Sequence, residues 1–403
     1  MNTERTNKTI YLNNAATSWP KPPCVAEAVQ KAVRSVPGSQ FRSGDGREGS
    51  DIFDGCRQVL GSLLGIADTG RICFSSGSTE SMNLLLLGLG IPAEQVITTV
   101  TEHNSVLRPL WNLPGIAGRP VLLPCDSDGF VPPESLEREA AKGKARAVIL
   151  NHCSNVTGAV QDAATFGKIA KRYGLLFLMD VSQSAGCMEV RADEWQADAV
   201  VFTGHKSLLG LSGTGGFYVR NGVPYRPAKF GGTGRESRKL VYDETVFWQE
   251  AGTQNTVGIY ALSAACGWIL GQGTGIIRQK EQRLVQRTLE QLAEMGKVHV
   301  TGFEIPGKGT AAGAPKGIGA LPDTGNRGPV VSFTAEGWES PDLGYILSSY
   351  GIITRTGLHC SPLIHSYIGS SPGGTVRISF SPFTTEGEVD ALCEALREIL
   401  YSA

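Results

Sequence analysis

Short apolar runs recur along the first half of the chain, at 71–75, 95–100, 120–123, Ala147–Asn151, 175–180, 198–203 and 216–219. Runs of this length, rich in Val, Ile, Leu and Phe, read as strands buried on both faces. Helix-like segments separate many of them. The pattern predicts a mostly parallel, seven-stranded sheet covered on both sides. From about Val257 the pattern changes. A helical stretch over 256–295 leads into shorter strands near 298–301, 330–333, 352–354 and 376–380, and an amphipathic helix over 385–400 closes the chain. The expected organisation is α/β, with an N-terminal segment (1–16), a large domain (17–255) and a smaller α+β domain (256–403) that includes the linking helix. The stretch 306–329, rich in Gly, Pro and Ala and without periodicity, reads as an exposed loop. No internal repeat is visible.

Composition narrows the picture. The 403 residues are 41% hydrophobic and 19% charged, with a net charge of −1, so nothing draws the whole chain to nucleic acid or membrane. No stretch approaches the ~20 apolar residues of a membrane span. The polar start lacks the apolar core of a signal peptide, which makes the cytoplasm the expected location. The nine cysteines are scattered, odd in number and without a Cys-x-x-Cys pair, which argues against a disulfide framework and a structural zinc site. Most read as small buried hydrophobes. Cys360 lies in a different setting.

Chemistry-bearing residues gather at the ends of the expected strands. The run 175–180 ends on Asp180, and the run 198–203 ends on Thr203, followed by Gly204-His205-Lys206. An acid and a lysine at neighbouring carboxyl ends stand where open α/β sheets place their ligands. Such a lysine forms a Schiff base and such an acid keeps a pyridine nitrogen protonated, the pairing by which proteins use pyridoxal phosphate. The uncharged surroundings of Lys206 favour loss of its proton, against the alternative of a surface lysine. Phe74-Ser-Ser-Gly-Ser-Thr-Glu80 follows a strand and opens an apolar helix, so Ser78 and Thr79 suit either a phosphate cradle or a simple helix cap. His103, after the run 95–100, suits either stacking on a flat ring or ordinary packing. Asn155 and Gln183 suit either ligand hydrogen bonds or turn chemistry. Cys360 lies beside His359 and near Arg355, a setting for a nucleophilic thiol or an inert loop cysteine. Arg377, inside a strand pattern, needs an anion, which is a substrate carboxylate or a structural partner.

Taken together, these segments resemble the class V aminotransferases and, within them, the cysteine desulfurases. The likeness runs from Tyr11-Leu-Asn-Asn-Ala-Ala16 to Phe383-Thr-Thr-Glu386. Its most specific pieces are Gly77-Ser-Thr-Glu-Ser-Met-Asn83, Thr101-Glu-His-Asn104, Asp180-Val-Ser-Gln183, Thr203-Gly-His-Lys206, Glu250-Ala-Gly-Thr253 and Arg355-Thr-Gly-Leu-His-Cys360. The resemblance implies a homodimeric pyridoxal-phosphate enzyme of fold type I. By that likeness Lys206 would carry the cofactor, Asp180 would pair with the ring nitrogen, Gln183 would bond the ring hydroxyl and His103 would stack on the ring. Ser78, Thr79, Thr203 and His205 would hold the phosphate, with Thr253 reaching in from the other subunit. Arg377 would clamp the substrate carboxylate, with Asn155, Asn14 and Arg355 as further substrate-binding residues.

The implied reaction converts L-cysteine to L-alanine and leaves sulfur on Cys360 as a persulfide, for transfer to a sulfur-acceptor protein. Three other readings share parts of this set. One is a selenocysteine lyase using the same site. Another is a class V lyase, epimerase or aminotransferase in which Cys360 is incidental. The last is a cofactor-binding protein whose task is docking to an acceptor. Leu358 and Ser361-Pro362 depart from the His and Ala common in the best-characterised branch, and the stretch 39–47 also looks unlike its relatives.

Overall fold

The computed structural model describes residues 9–35, 47–112, 118–233, 238, 240–241, 250–303 and 326–401, with the main chain alone over 47–51. The unusual stretch 39–47 and the loop 306–329 therefore lie almost wholly outside the described residues. In chain order the elements of the first half are β1 (Ile10–Tyr11), α1 (Pro23–Arg34), α2 (Arg47–Leu64), β2 (Ile72–Ser75), α3 (Ser78–Leu89), β3 (Val96–Thr99), α4 (Asn104–Asn112), β4 (Val121–Leu123), α5 (Pro133–Ala140), β5 (Ala147–Asn151), α6 (Ala163–Arg172), β6 (Leu176–Asp180), β7 (Ala199–Thr203) and β8 (Gly215–Val219). The second half adds α7 (Thr256–Gln272), α8 (Thr274–Ala293), β9 (Val298–Thr301), β10 (Val330–Ala335), α9 (Ser340–Ser349), β11 (Ile352–Ile353), β12 (Arg355–Gly357), β13 (Thr375–Ser379) and α10 (Glu386–Tyr401).

The seven expected strands form one sheet in the order β2-β8-β7-β6-β5-β3-β4, with β8 alone antiparallel to its neighbours. Alternation along each strand feeds two cores. Val148, Leu150, Phe177, Met179, Val200 and Phe202 face one layer, while Ala147, Ile149, Leu178, Ala199, Val201 and Phe217 face the other. Each fully buried Val, Leu, Ile, Met or Phe among them contributes about 1.5–3 kcal/mol of hydrophobic stabilisation. Burial on both faces is why these runs read as continuous apolar segments instead of alternating ones.

Register then sets the functional edge. Asn151 pairs with Asp180 across β5 and β6, and Gly215 pairs with both Ser75 and Thr203. The carboxyl ends of β2, β3, β5, β6 and β7 consequently open onto one side of the sheet.

The predicted helix over 256–295 is two helices. Gly273, at φ 83°, ends α7 and starts α8, a left-handed backbone position that glycine adopts freely. The break divides the work of the link. Ile259, Leu262, Ala265, Cys266 and Ile269 of α7 join the core under the large sheet, while Leu284, Val285, Leu289 and Leu292 of α8 join the core of the second layer. That layer is a four-stranded antiparallel sheet ordered β12-β13-β10-β9. The expected strand over 352–354 also divides, because the chain leaves β11 at Thr354 and enters a different sheet as β12. The partner of β11 is β1, from the N-terminal segment, and Leu12 is buried in the second core.

The β2–β8–β7 edge leaves no room for a side chain at Gly215. A Cβ there would lie 2.5 Å from Gly77 Cα and 2.8 Å from the Phe202 carbonyl oxygen, both main-chain atoms that cannot rotate away. Gly215→Ala is expected to cost about 1–3 kcal/mol of stability, read as a lowered melting temperature. An unchanged melting temperature would contradict this packing.

Candidate active site

Six of the side chains that line one cleft, Ser78, His103, Asn155, Asp180, Gln183 and Lys206, lie at or after the ends of five strands, β2, β3, β5, β6 and β7. Asp180, at the end of β6, is buried, and one carboxylate oxygen accepts from the Ser182 N–H at 2.9 Å. Lys206 sits in the turn after β7. Burial pushes its amine down to about 8; Asp180 opposes the shift, and the Arg377 and Arg355 guanidiniums add to it. Gln183 donates to the Ala15 carbonyl at 3.0 Å, which ties the N-terminal segment to the cleft.

His103 precedes α4 directly. Its Nδ1 accepts from the Ser105 N–H at 3.0 Å, which assigns the ring proton to Nε2. Burial, then the charges of Lys206, Arg355, Arg377 and Arg108, hold its pKa down at about 3, so the ring is neutral at working pH. His205 is also held neutral, at about 4, chiefly by burial. Its main-chain carbonyl accepts from Ser18 N at 2.9 Å and Lys21 Nζ at 3.2 Å.

Helix α3 begins at Ser78 after Gly77, and no side chain among the described residues caps it. The first-turn N–H groups are left for an anion. Glu80 turns back to accept from Ser76 N at 2.8 Å, so it supports the loop and does not occupy the helix end. Gly77 has φ 150°, and a Cβ there would stand 3.6 Å from Thr203 Oγ1, inside the space between α3 and β7.

A wider, more open space adjoins the cleft, shares His103 and Ser105 with it, and is lined by Thr79 and Cys360. Arg355 Nη2 donates to Cys360 Sγ at 3.3 Å. The turn that carries the thiol is strained, with His359 and Cys360 at φ 51° and 60°. Two consecutive non-glycine residues in this region cost about 1–3 kcal/mol each. Hydrogen bonds hold them there: Asn104 N donates to Cys360 O at 2.7 Å, Asn155 Nδ2 to His359 O at 2.7 Å, and the His359 ring meets Thr375 Oγ1 at 2.8 Å, while Ser361 Oγ donates to Asn155 Oδ1 at 2.7 Å behind them.

Arg377, on β13, is 1% exposed. Nη1 donates to the Asn155 carbonyl at 2.9 Å and Nη2 to Asn13 Oδ1 at 3.3 Å, and no carboxylate pairs with it among the described residues. Burial, with Arg355 nearby, lowers its pKa to about 9. Asn13, which the sequence reading passed over, is thus the side chain that meets Arg377. Asn14 is engaged elsewhere: its amide nitrogen donates to Ser379 O at 3.0 Å and its oxygen accepts from Trp19 N at 3.0 Å. Thr253 is exposed in the single chain and outside the lining of both spaces.

The residues fit pyridoxal phosphate. Asn151 Oδ1 and Ser182 Oγ in the cleft lining, with His205 Nδ1 and Arg377 Nε nearby, are buried and have no hydrogen-bond partner among the described residues. Around them stand a half-buried amine, a buried acid, an uncapped helix start and a flat neutral ring. Lys206, Asp180, His103, Ser78 and Thr203 would hold the group, and Arg377 would be left for a substrate carboxylate.

Glu102 is a further buried group that the sequence reading passed over, although it adjoins His103. It has no exposed surface, and its Oε1 accepts from Asn151 N at 2.8 Å and Thr99 Oγ1 at 3.0 Å. Burial, reinforced by Asp180 and opposed by the Asn151 N–H, raises its pKa to about 8. A raised acid gives stability that is complete below the ordinary value of 4.5 and is lost as pH rises through about 8. From pH 7 to 9 the native protein is expected to lose about 1 kcal/mol that Glu102→Gln, which cannot ionise, retains. Parallel melting curves for the two proteins over that range would contradict the assignment.

The comparisons agree with this geometry. The sequence pattern of the aminotransferase class-V family matches residues 10–311 and 314–392. A probable cysteine desulfurase from Pyrococcus abyssi is 30% identical over 409 aligned residues, covering 98% of this chain and 96% of its own. The apo structure of cysteine desulfurase from Thermococcus onnurineus NA1 superposes with a TM-score of 0.83 at 28% identity, covering 98% of this chain and 96% of that one. The crystal structure of the cysteine desulfurase CsdA (S-sulfonic acid) from Escherichia coli gives 0.81 at 25% identity, covering 97% and 94%. The chain belongs to the class-V aminotransferase family, whose enzymes work with pyridoxal phosphate.

Proposed function

We propose that the protein is a cysteine desulfurase, which takes sulfur from L-cysteine, releases L-alanine and holds the sulfur on Cys360 as a persulfide. The observation that carries this reading is the thiol of Cys360, 3.3 Å from Arg355 Nη2 on a strained turn at the wall of the space next to Lys206. An aminotransferase has no use for a thiol there.

Arg377 receives the substrate carboxylate, since its guanidinium is buried and no carboxylate among the described residues pairs with it. When bound, pyridoxal phosphate supplies an electron sink for the bonds at the substrate's Cα. Asp180 keeps the ring nitrogen protonated, and the uncapped start of α3, with Ser78, Thr79, Thr203 and His205, takes the phosphate. Lys206, half neutral near pH 8, is suited to remove the Cα proton. His103 stays uncharged, presenting a flat ring with its proton on Nε2. Cys360 Sγ, held 3.3 Å from Arg355 Nη2, attacks the substrate sulfur as a thiolate. An S–S bond forms and the Cβ–S bond breaks with its electron pair staying on carbon. That carbon takes up a proton and alanine leaves. The two sulfurs are oxidised to the persulfide level as Cβ is reduced to a methyl, so no outside oxidant is required.

The exposure of Thr253 in the single chain supports a homodimer in which this threonine serves the other copy's phosphate site. An acceptor protein then draws sulfur from Cys360 through the wider space. No helix among the described residues is long and apolar enough to cross a membrane. Nine cysteines without a disulfide suit a reducing compartment, in keeping with the cytoplasm.

The test is alanine and sulfide release from purified protein given L-cysteine and a reductant. Equal amounts are expected, with sulfide release falling to background in Cys360→Ala while the yellow colour of bound cofactor remains. Sulfide release that survives in the variant would overturn the role of Cys360, and a yellow protein inert toward cysteine would overturn the substrate.

A further inference from the structure

Ser361 follows the sulfur-bearing residue directly, has no exposed surface, and is used by none of the chemistry above. Its hydroxyl donates to Asn155 Oδ1 at 2.7 Å, and its N–H closes the turn onto Leu358 O at 2.9 Å. The hydroxyl thereby fixes which way the Asn155 amide faces. The other end of that amide grips the His359 carbonyl at 2.7 Å, at the first of the two left-handed residues. The Asn155 main-chain carbonyl accepts from Arg377 Nη1 at 2.9 Å. One buried residue after β5 therefore touches both the turn that carries the thiol and the guanidinium that awaits an anion. Ser361 is the only donor to Asn155 Oδ1 among the described residues, so removing its hydroxyl leaves the amide held at its nitrogen end alone.

We propose that Ser361 is a positioning residue, which through Asn155 locks the 358–361 turn and keeps Cys360 Sγ against Arg355. Its importance for sulfur transfer rests on the reading of Cys360 given above, but the lock is a property of the chain itself. A strained turn held by a few hydrogen bonds relaxes when one is lost, and relaxation carries the thiol away from the guanidinium.

The test compares the native full-length protein with Ser361→Ala, Ser361→Thr and Asn155→Leu, both with cofactor and without. Cys360 is alkylated with iodoacetate, an anion, and with iodoacetamide, its neutral counterpart, and the two rates are read from the Cys360 peptide by mass. Arg355 and Arg377 favour the anion, so the native rate ratio exceeds that of free cysteine. Ser361→Ala and Asn155→Leu are expected to lower the ratio about fivefold, the effect of withdrawing one unit charge in a partly screened site. Ser361→Thr, which keeps the hydroxyl, restores it. With cofactor bound, Ser361→Ala is expected to lower kcat for sulfur loading roughly tenfold or more at unchanged KM for L-cysteine. A purely structural role would lower the melting temperature and leave the ratio alone. A native ratio in the folded Ala or Leu variant, or a threonine variant that behaves like alanine, overturns the proposal. Because the alkylation ratio needs no turnover, it stands even if Cys360 proves not to accept sulfur.

Discussion

Lys206, at the edge of the large sheet, and Arg355 and Arg377, from the second sheet, act on one another and on His103, and Asp180 is the one carboxylate among the described residues that offsets them at Lys206. That imbalance is the constraint on which the site turns. Burial alone lowers the amine; the two guanidiniums lower it further, and the one carboxylate only partly restores it. The same field makes an imidazolium at His103 unfavourable and keeps that ring neutral. Cations gathered with too few anions favour anionic guests, and a phosphate, a substrate carboxylate and a thiolate are what the proposed chemistry brings. The electrostatic cost of gathering these cations is offset when such anions bind.

Holding the imbalance in place requires a frame, and the sheet register provides it. Parallel strands buried on both faces cannot slip by a residue without sending every side chain into the opposite core, where it does not fit, so Asn151, Asp180 and Thr203 keep their heights at the edge. Close approach of Gly77 to Gly215 fixes the start of α3 against that edge. The second layer contributes Arg377 and the Cys360 turn from strands of a separate sheet. Asn104, Asn155 and Ser361 join the two layers by hydrogen bonds to the turn and within it. A site shared between layers is sensitive to small relative movements, which is why a single buried hydroxyl can matter there.

Much of this was legible in the sequence because the signals were local. Seven apolar runs marked seven strands to within a residue or two, and the glycine- and serine-rich 75–78 turn marked the helix start. Misread features were those whose cause is distant in the chain. Gly273 lies within a helical periodicity that continues on both sides, so the break shows only when the two halves are seen entering different cores. Thr354 marks a change of sheet that strand propensity does not register. Asn13 and Asn14 are adjacent and alike in sequence, and only the register of the N-terminal segment against β13 decides that Asn13 meets Arg377. Glu102 stood beside a histidine singled out for its chemistry, yet its burial depends on strands brought in from 147–151 and 176–180. Ser361 was noticed as a departure in type, and its partner lies 206 residues away.

The crowding of cations can be measured without turnover. Competitive acetylation of cofactor-free protein against a reference amine, followed on the Lys206 peptide over a range of pH, gives the titration of that amine directly. Half-titration near pH 8 is the predicted result. A midpoint near the ordinary lysine value of 10.5 would contradict the account, because Lys206 would then be solvated or paired and the imbalance would not exist.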